Sequence, residues 1–207
     1  LRLRDAERRF RALGTIEAEA AFMHERLRLG RDSWSRVLTA AYVAHEPSRL
    51  LLSQAGVPVP PLLQATALTS WTGKRRWKKL MRPLSQATLV DAARAALTIG
   101  VRYRNDCTGV AARLEVVNEW CRAAAGRDPR PVVSLLEQLR ENTLARRQRP
   151  AWAALLGLFE AMTTVDVDYI HRTASVIVAA SWLARGAEDE LDEVVREILV
   201  REALRSS

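Results

Sequence analysis

The chain has 207 residues, 48% of them hydrophobic and 27% charged, with a net charge of +8. That length makes one large domain or two small ones, and that composition excludes a globally disordered chain. Apolar runs fall short of the roughly 18 residues a bilayer span requires, so no membrane partner is expected.

Turn signals divide the chain into about ten helical blocks. An arginine-rich helix over residues 2–13 ends at Gly14. Thr15 caps a second helix, closed by Gly30, and Ser33 caps a third over 34–45. Pro47 opens a fourth, ending near Gly56, and a proline-rich connection follows over 57–61. A fifth helix runs to Trp71, with a break at Gly73. Residues 74–82 form a short basic segment, interrupted by Pro83. Thr88 with Asp91 reads as a capping box for a helix ending at Gly100. A polar loop over 101–109 leads to a helix capped by Thr108 and closed by Gly126. Asp128 and Pro129 start another, through Arg147, and Pro150 opens the next, to Met162. Asp166 caps a long helix that stops at Gly186. The last helix spans 188–204, with Leu191, Val194, Val195 and Ile198 on one face. No period-2 segment bounded by hairpin turns stands out, so the predicted fold is all-α, with antiparallel helix pairs stacked in a solenoid-like manner. Three parts are expected: basic N-terminal helices over 1–32, a helical body over 33–186 and an acidic capping helix over 187–207.

Charge is unevenly placed. Residues 187–207 carry seven acids and three arginines, leaving +12 on the other 186 residues. Such asymmetry points to an acidic or polyanionic partner for the basic part. All three lysines, Lys74, Lys78 and Lys79, sit in one segment with Arg75, Arg76 and Arg82, flanked by Trp71 and interrupted by Trp77. Cations neutralise phosphates, and an exposed tryptophan stacks on an unpaired base. The alternative for both tryptophans is the core. Arg102 and Arg104 flank Tyr103 in a loop that either touches a phosphate backbone or connects two helices. Arg146, Arg147 and Arg149 form a further cluster at a helix end.

Asp166, Asp168 and His171 form the best candidate for a metal or acid–base site, although Asp166 stands where a helix needs an N-cap. His24 with Glu25 and His45 with Glu46 are isolated pairs. Cys107 and Cys121 read as buried thiols rather than a disulfide framework or zinc site. No cofactor and no small-molecule substrate are expected. The first residue is Leu1 rather than Met, which leaves room for an upstream segment.

Trp34, Trp77 and Trp120 are spaced 43 residues apart, and helices starting Trp34-Ser-Arg-Val-Leu, Trp77-Lys-Lys-Leu-Met and Trp152-Ala-Ala-Leu-Leu share a face pattern. In this rhythm over roughly residues 34–186, and in its arginine-rich composition, the chain resembles divergent pentatricopeptide-like helical-repeat proteins. Those abound in organellar ribonucleoprotein particles, notably kinetoplastid mitochondrial ones. The spacing exceeds that family's repeat and no base-reading pair recurs, so no residue roles carry over. The resemblance implies a non-catalytic repeat subunit of a mitoribosome or RNA-processing complex, binding RNA backbone and neighbouring proteins, in the mitochondrial matrix. Lys74, Arg75, Arg76, Trp77, Lys78, Lys79, Arg82, Arg102 and Arg104 are the expected contacts. The alternative is a cytoplasmic bacterial adaptor or immunity-type module that docks its basic face on an acidic protein.

Overall fold

A computed structural model of the chain describes residues 2–104, 107–122, 134, 137, 150–164, 166 and 168–204. Among them the fold is all-α, as the caps and apolar spacing predict, with ten α-helices and no strand. These are α1 (Arg2–Leu13), α2 (Ile16–Arg28), α3 (Trp34–Tyr42), α4 (Glu46–Gln54), α5 (Trp71–Leu80), α6 (Gln86–Arg102), α7 (Thr108–Arg122), α8 (Pro150–Thr163), α9 (Tyr169–Leu183) and α10 (Glu188–Ala203), with a 3-10 turn, Ala65–Thr69, before α5. The helix expected over 128–147 and the Arg146, Arg147 and Arg149 cluster lie outside the described residues, apart from helical Ser134 and Glu137.

The chain forms two compact units. One comprises residues 1–63, 79–84 and 196–207, the other residues 64–78 and 85–195. In the first unit, α2 packs on α1 and α4, and α3 packs on α4. Ala20, Met23, Val37, Ala41, Leu51 and Leu52 form its buried cluster. Thr15 and Ser33 cap α2 and α3 through the amides of Ala18 and Arg36. Arg49 donates to the Ala41 and Pro60 carbonyls at 3.2 and 3.0 Å, fixing the proline-rich connection to the end of α3.

In the second unit α9 packs on α6 and α8, and α6 also meets α7 and α8. Two helix backbones come close at Gly100, where a Cβ would stand 2.7 Å from the Ala180 carbonyl oxygen. Gln86 donates to the Ala161 and Thr164 carbonyls at 2.6 and 2.9 Å, satisfying groups at the end of α8 that the helix leaves unpaired. The carboxylate of Asp192, though buried, accepts the Ala65 amide at 2.8 Å. On the last helix Leu191, Val195, Leu199 and Ala203 are buried, while Val194 and Ile198 are half-buried.

The tryptophan rhythm does not mark equivalent positions. Trp34 starts α3 and is 42% exposed, whereas Trp77 lies inside α5 and is fully buried. Helix α6 starts three residues earlier than Thr88 suggests. Its cap is Ser85, whose hydroxyl accepts the Thr88 amide at 3.2 Å and bonds the Thr88 hydroxyl at 2.8 Å.

Candidate nucleic-acid interface

Gly73, read from sequence as a break, lies within the first turn of α5. Ser70 precedes the helix, and its hydroxyl accepts the Gly73 amide at 3.0 Å. The 3-10 turn folds back so tightly that a Cβ at Gly73 would meet the Ala67 carbonyl oxygen at 1.9 Å. Glycine is there for close approach, and the helix starts at Trp71.

That start sets the phase of every side chain on α5. Gly73, Trp77 and Leu80, at i, i+4 and i+7, are buried. Trp77 is fully enclosed and its indole N–H donates to the Ile170 carbonyl at 2.8 Å. Its expected contact with nucleic acid is therefore corrected, because an enclosed ring has no face for a base. Trp71, Lys74, Arg75 and Lys78, at i, i+3, i+4 and i+7, share the opposite face. Trp71 is 73% exposed, and the Arg75 guanidinium lies 5.2 Å from its ring centroid, a cation–π arrangement. Lys74 and Arg75 are exposed, Lys78 and Arg76 half-buried. Lys79 and Arg82 are exposed within the first unit. Among the described residues none of these six cations pairs with a carboxylate.

The second expected contact region differs. Arg102 pairs with Glu190 at 3.1 Å, and the Tyr103 hydroxyl donates to the other oxygen of the same carboxylate at 2.5 Å. That hydrogen bond, with the charge behind it, holds the Tyr103 phenol above its ordinary range. Arg102 and Tyr103 thus fasten the end of α6 to the start of α10. The charge of Arg102 is met by a carboxylate, although its side chain remains 62% exposed, so it offers phosphate less than the unpaired cations of α5 do. Arg104 is exposed and also partnered.

Two groupings resemble reaction centres. Asp166 accepts the Asp168 amide at 2.9 Å, so its carboxylate forms a local turn. Asp168 is the N-cap of α9 and makes no side-chain capping bond, so the cap moves two residues from Asp166. Among the described residues no three His, Cys, Asp or Glu side chains gather as a metal site. In the first unit His45 meets Ser48 through Nδ1 at 2.8 Å and Glu19 through Nε2 at 3.1 Å, an association that the adjacent His45-Glu46 pair in the sequence does not reveal. Ser48 is fully buried, however, and offers its hydroxyl to no substrate. Burial pushes the His45 imidazole below its ordinary range, against the pull of Glu19 and Glu46. The trio holds α2 to α4. Cys121 lines a cavity of about 340 Å³ with Gln86, Val90, Asp91 and Met162. Burial pushes its thiol upward, away from the thiolate a nucleophile requires.

No helix among the described residues is long and apolar enough to cross a membrane. Compared with protein-family models, with curated proteins and with solved structures, the chain finds no match.

Proposed function

We propose that the chain is a non-catalytic, RNA-binding helical subunit of a larger ribonucleoprotein assembly, and that the Trp71, Lys74, Arg75 and Lys78 face of α5 contacts single-stranded RNA. One observation carries this reading: a largely exposed indole shares a helix face with three cations that have no carboxylate partner among the described residues. Such a combination suits an unstacked base beside its own phosphates. The cations supply sequence-independent attraction, and the ring supplies roughly 1–3 kcal/mol of stacking. Arg75 covers part of the Trp71 ring, and a base takes the remaining area or displaces the guanidinium. The mitochondrial setting rests on the resemblance in arginine-rich composition, the tryptophan positions being inequivalent in the fold.

The test replaces Lys74, Arg75 and Lys78 together by alanine. Affinity for unrelated single-stranded RNAs is expected to fall by similar factors. The slope of log K against log salt should become shallower by about 2, at roughly 0.7 per phosphate contact on a single strand. Parent-like affinity and slope would remove this face from RNA binding. Loss of an acidic protein partner with RNA binding intact would favour the adaptor reading.

A further inference from the structure

The first unit carries a second basic surface, on α1, that differs in kind from the face of α5. Helix α1 has no fully buried residue. Its inner side rests on α2 through Phe10, whose ring stacks on Phe22 at 5.9 Å between centroids. Arg4, Arg8 and Arg11 recur at i, i+4 and i+7, so they form one ridge on the side away from Phe10. All three are exposed. Arg4 and Arg8 have no carboxylate partner among the described residues. Arg11 pairs with Glu7 one turn back at 2.6 Å, but its side chain is 76% exposed, and such a surface pair yields readily to a competing anion.

The ridge rises about 10 Å along the helix, at roughly 1.5 Å per residue, enough for each guanidinium fork to take a separate oxyanion. A protein partner would want an apolar or aromatic anchor among the charges. The ridge itself offers none: Phe10 is turned onto Phe22, and the exposed Leu13 of the same helix lies on the opposite side. A nucleic-acid backbone requires charge and no anchor. It also requires no unpaired base, unlike the exposed indole on α5.

We infer that Arg4, Arg8 and Arg11 of α1 form a separate phosphate-binding ridge that takes the backbone of base-paired RNA. The ridge rests on the RNA-binding reading above for the class of its ligand, but on different residues in a different unit.

The experiment changes Arg4, Arg8 and Arg11 to Gln in the full chain and titrates it with a blunt RNA duplex of about 16 base pairs, the length that double-stranded RNA domains commonly span. The melting temperature should stay at the parent value, since none of the three is buried. The duplex salt slope should become shallower by roughly 2–3, at up to about 0.9 per contact. The loss that Trp71→Ala causes on single-stranded RNA should be the same in this background as in the parent. An unchanged duplex slope would overturn the inference, as would loss of an acidic protein partner with duplex binding unchanged. If the α5 variant binds RNA normally while the α1 variant does not, the ridge stands and the α5 face falls. The reverse result removes the ridge and leaves α5. A parent chain that binds neither RNA removes both.

Discussion

Two segments of the second unit place cations beside an aromatic ring and use them in opposite ways. On α5, Arg75 lies over an exposed Trp71, and Lys74 and Lys78 flank it with no carboxylate partner among the described residues. At the end of α6, Arg102 and Tyr103 converge on one carboxylate, that of Glu190. The first arrangement leaves its charge unmet by any carboxylate among the described residues, whereas the second uses it within the fold. Basic residues in a sequence therefore measure charge, but what stands opposite them in space decides whether a polyanion can use it.

The sharpest way to break the comparison is to exchange the roles of the two α5 tryptophans. Trp77→Ala removes a fully buried indole and leaves the Ile170 carbonyl without its donor. It should destabilise the fold by roughly 3–5 kcal/mol in a denaturant titration. Trp71→Ala should leave the melting temperature alone and weaken single-stranded RNA binding by about 1–3 kcal/mol, with little change in salt slope. If both variants lose stability equally, Trp71 is not the accessible ring.

A half-buried pair, His45 with Glu19, sharpens the contrast with the exposed pairing at Glu190. The folded state holds His45 below its ordinary pKa, so the unfolded chain binds its proton more readily. Stability from this group is full above the ordinary histidine pKa and is lost as pH falls through the lower folded value. The melting temperature should therefore drop between about pH 7.5 and about pH 5.5, and His45→Gln should flatten that part of the profile. Parallel profiles for parent and variant would show that His45 is not half-buried beside Glu19 as described.

The smallest effect concerns the loop. Glu190→Gln removes the charge that holds the Tyr103 phenol above its ordinary range. Spectrophotometric titration should show one tyrosine moving down towards about 10, with RNA affinity for the α5 face unchanged. A tyrosine profile that does not move would mean that Glu190 does not bind the loop.

Legibility followed the range of the interactions. Thr15 and Ser33 were readable as caps because a cap bonds an amide three residues away. The start of α6 was not, because Ser85 and Thr88 both carry hydroxyls and bond each other, so either reads as the cap. Gly73 read as a break, and that one misplacement hid the phase of α5. With the helix starting at Trp71, the 73, 77, 80 stripe identifies Trp77 as core and Trp71 as surface. Glu190 as the partner of Arg102 carried no signal, being 88 residues away. The same holds for Glu19 as the partner of His45.

By itself the sequence determined the all-α class, most helix boundaries and the location of the basic segments, since caps, turn glycines and apolar periodicity act within a few residues along the chain. Tertiary structure alone decided which tryptophan is enclosed, which arginines are already met by acids and which histidine meets a glutamate from another helix. Those properties depend on what a distant part of the chain places opposite each side chain, and no local pattern encodes that neighbour.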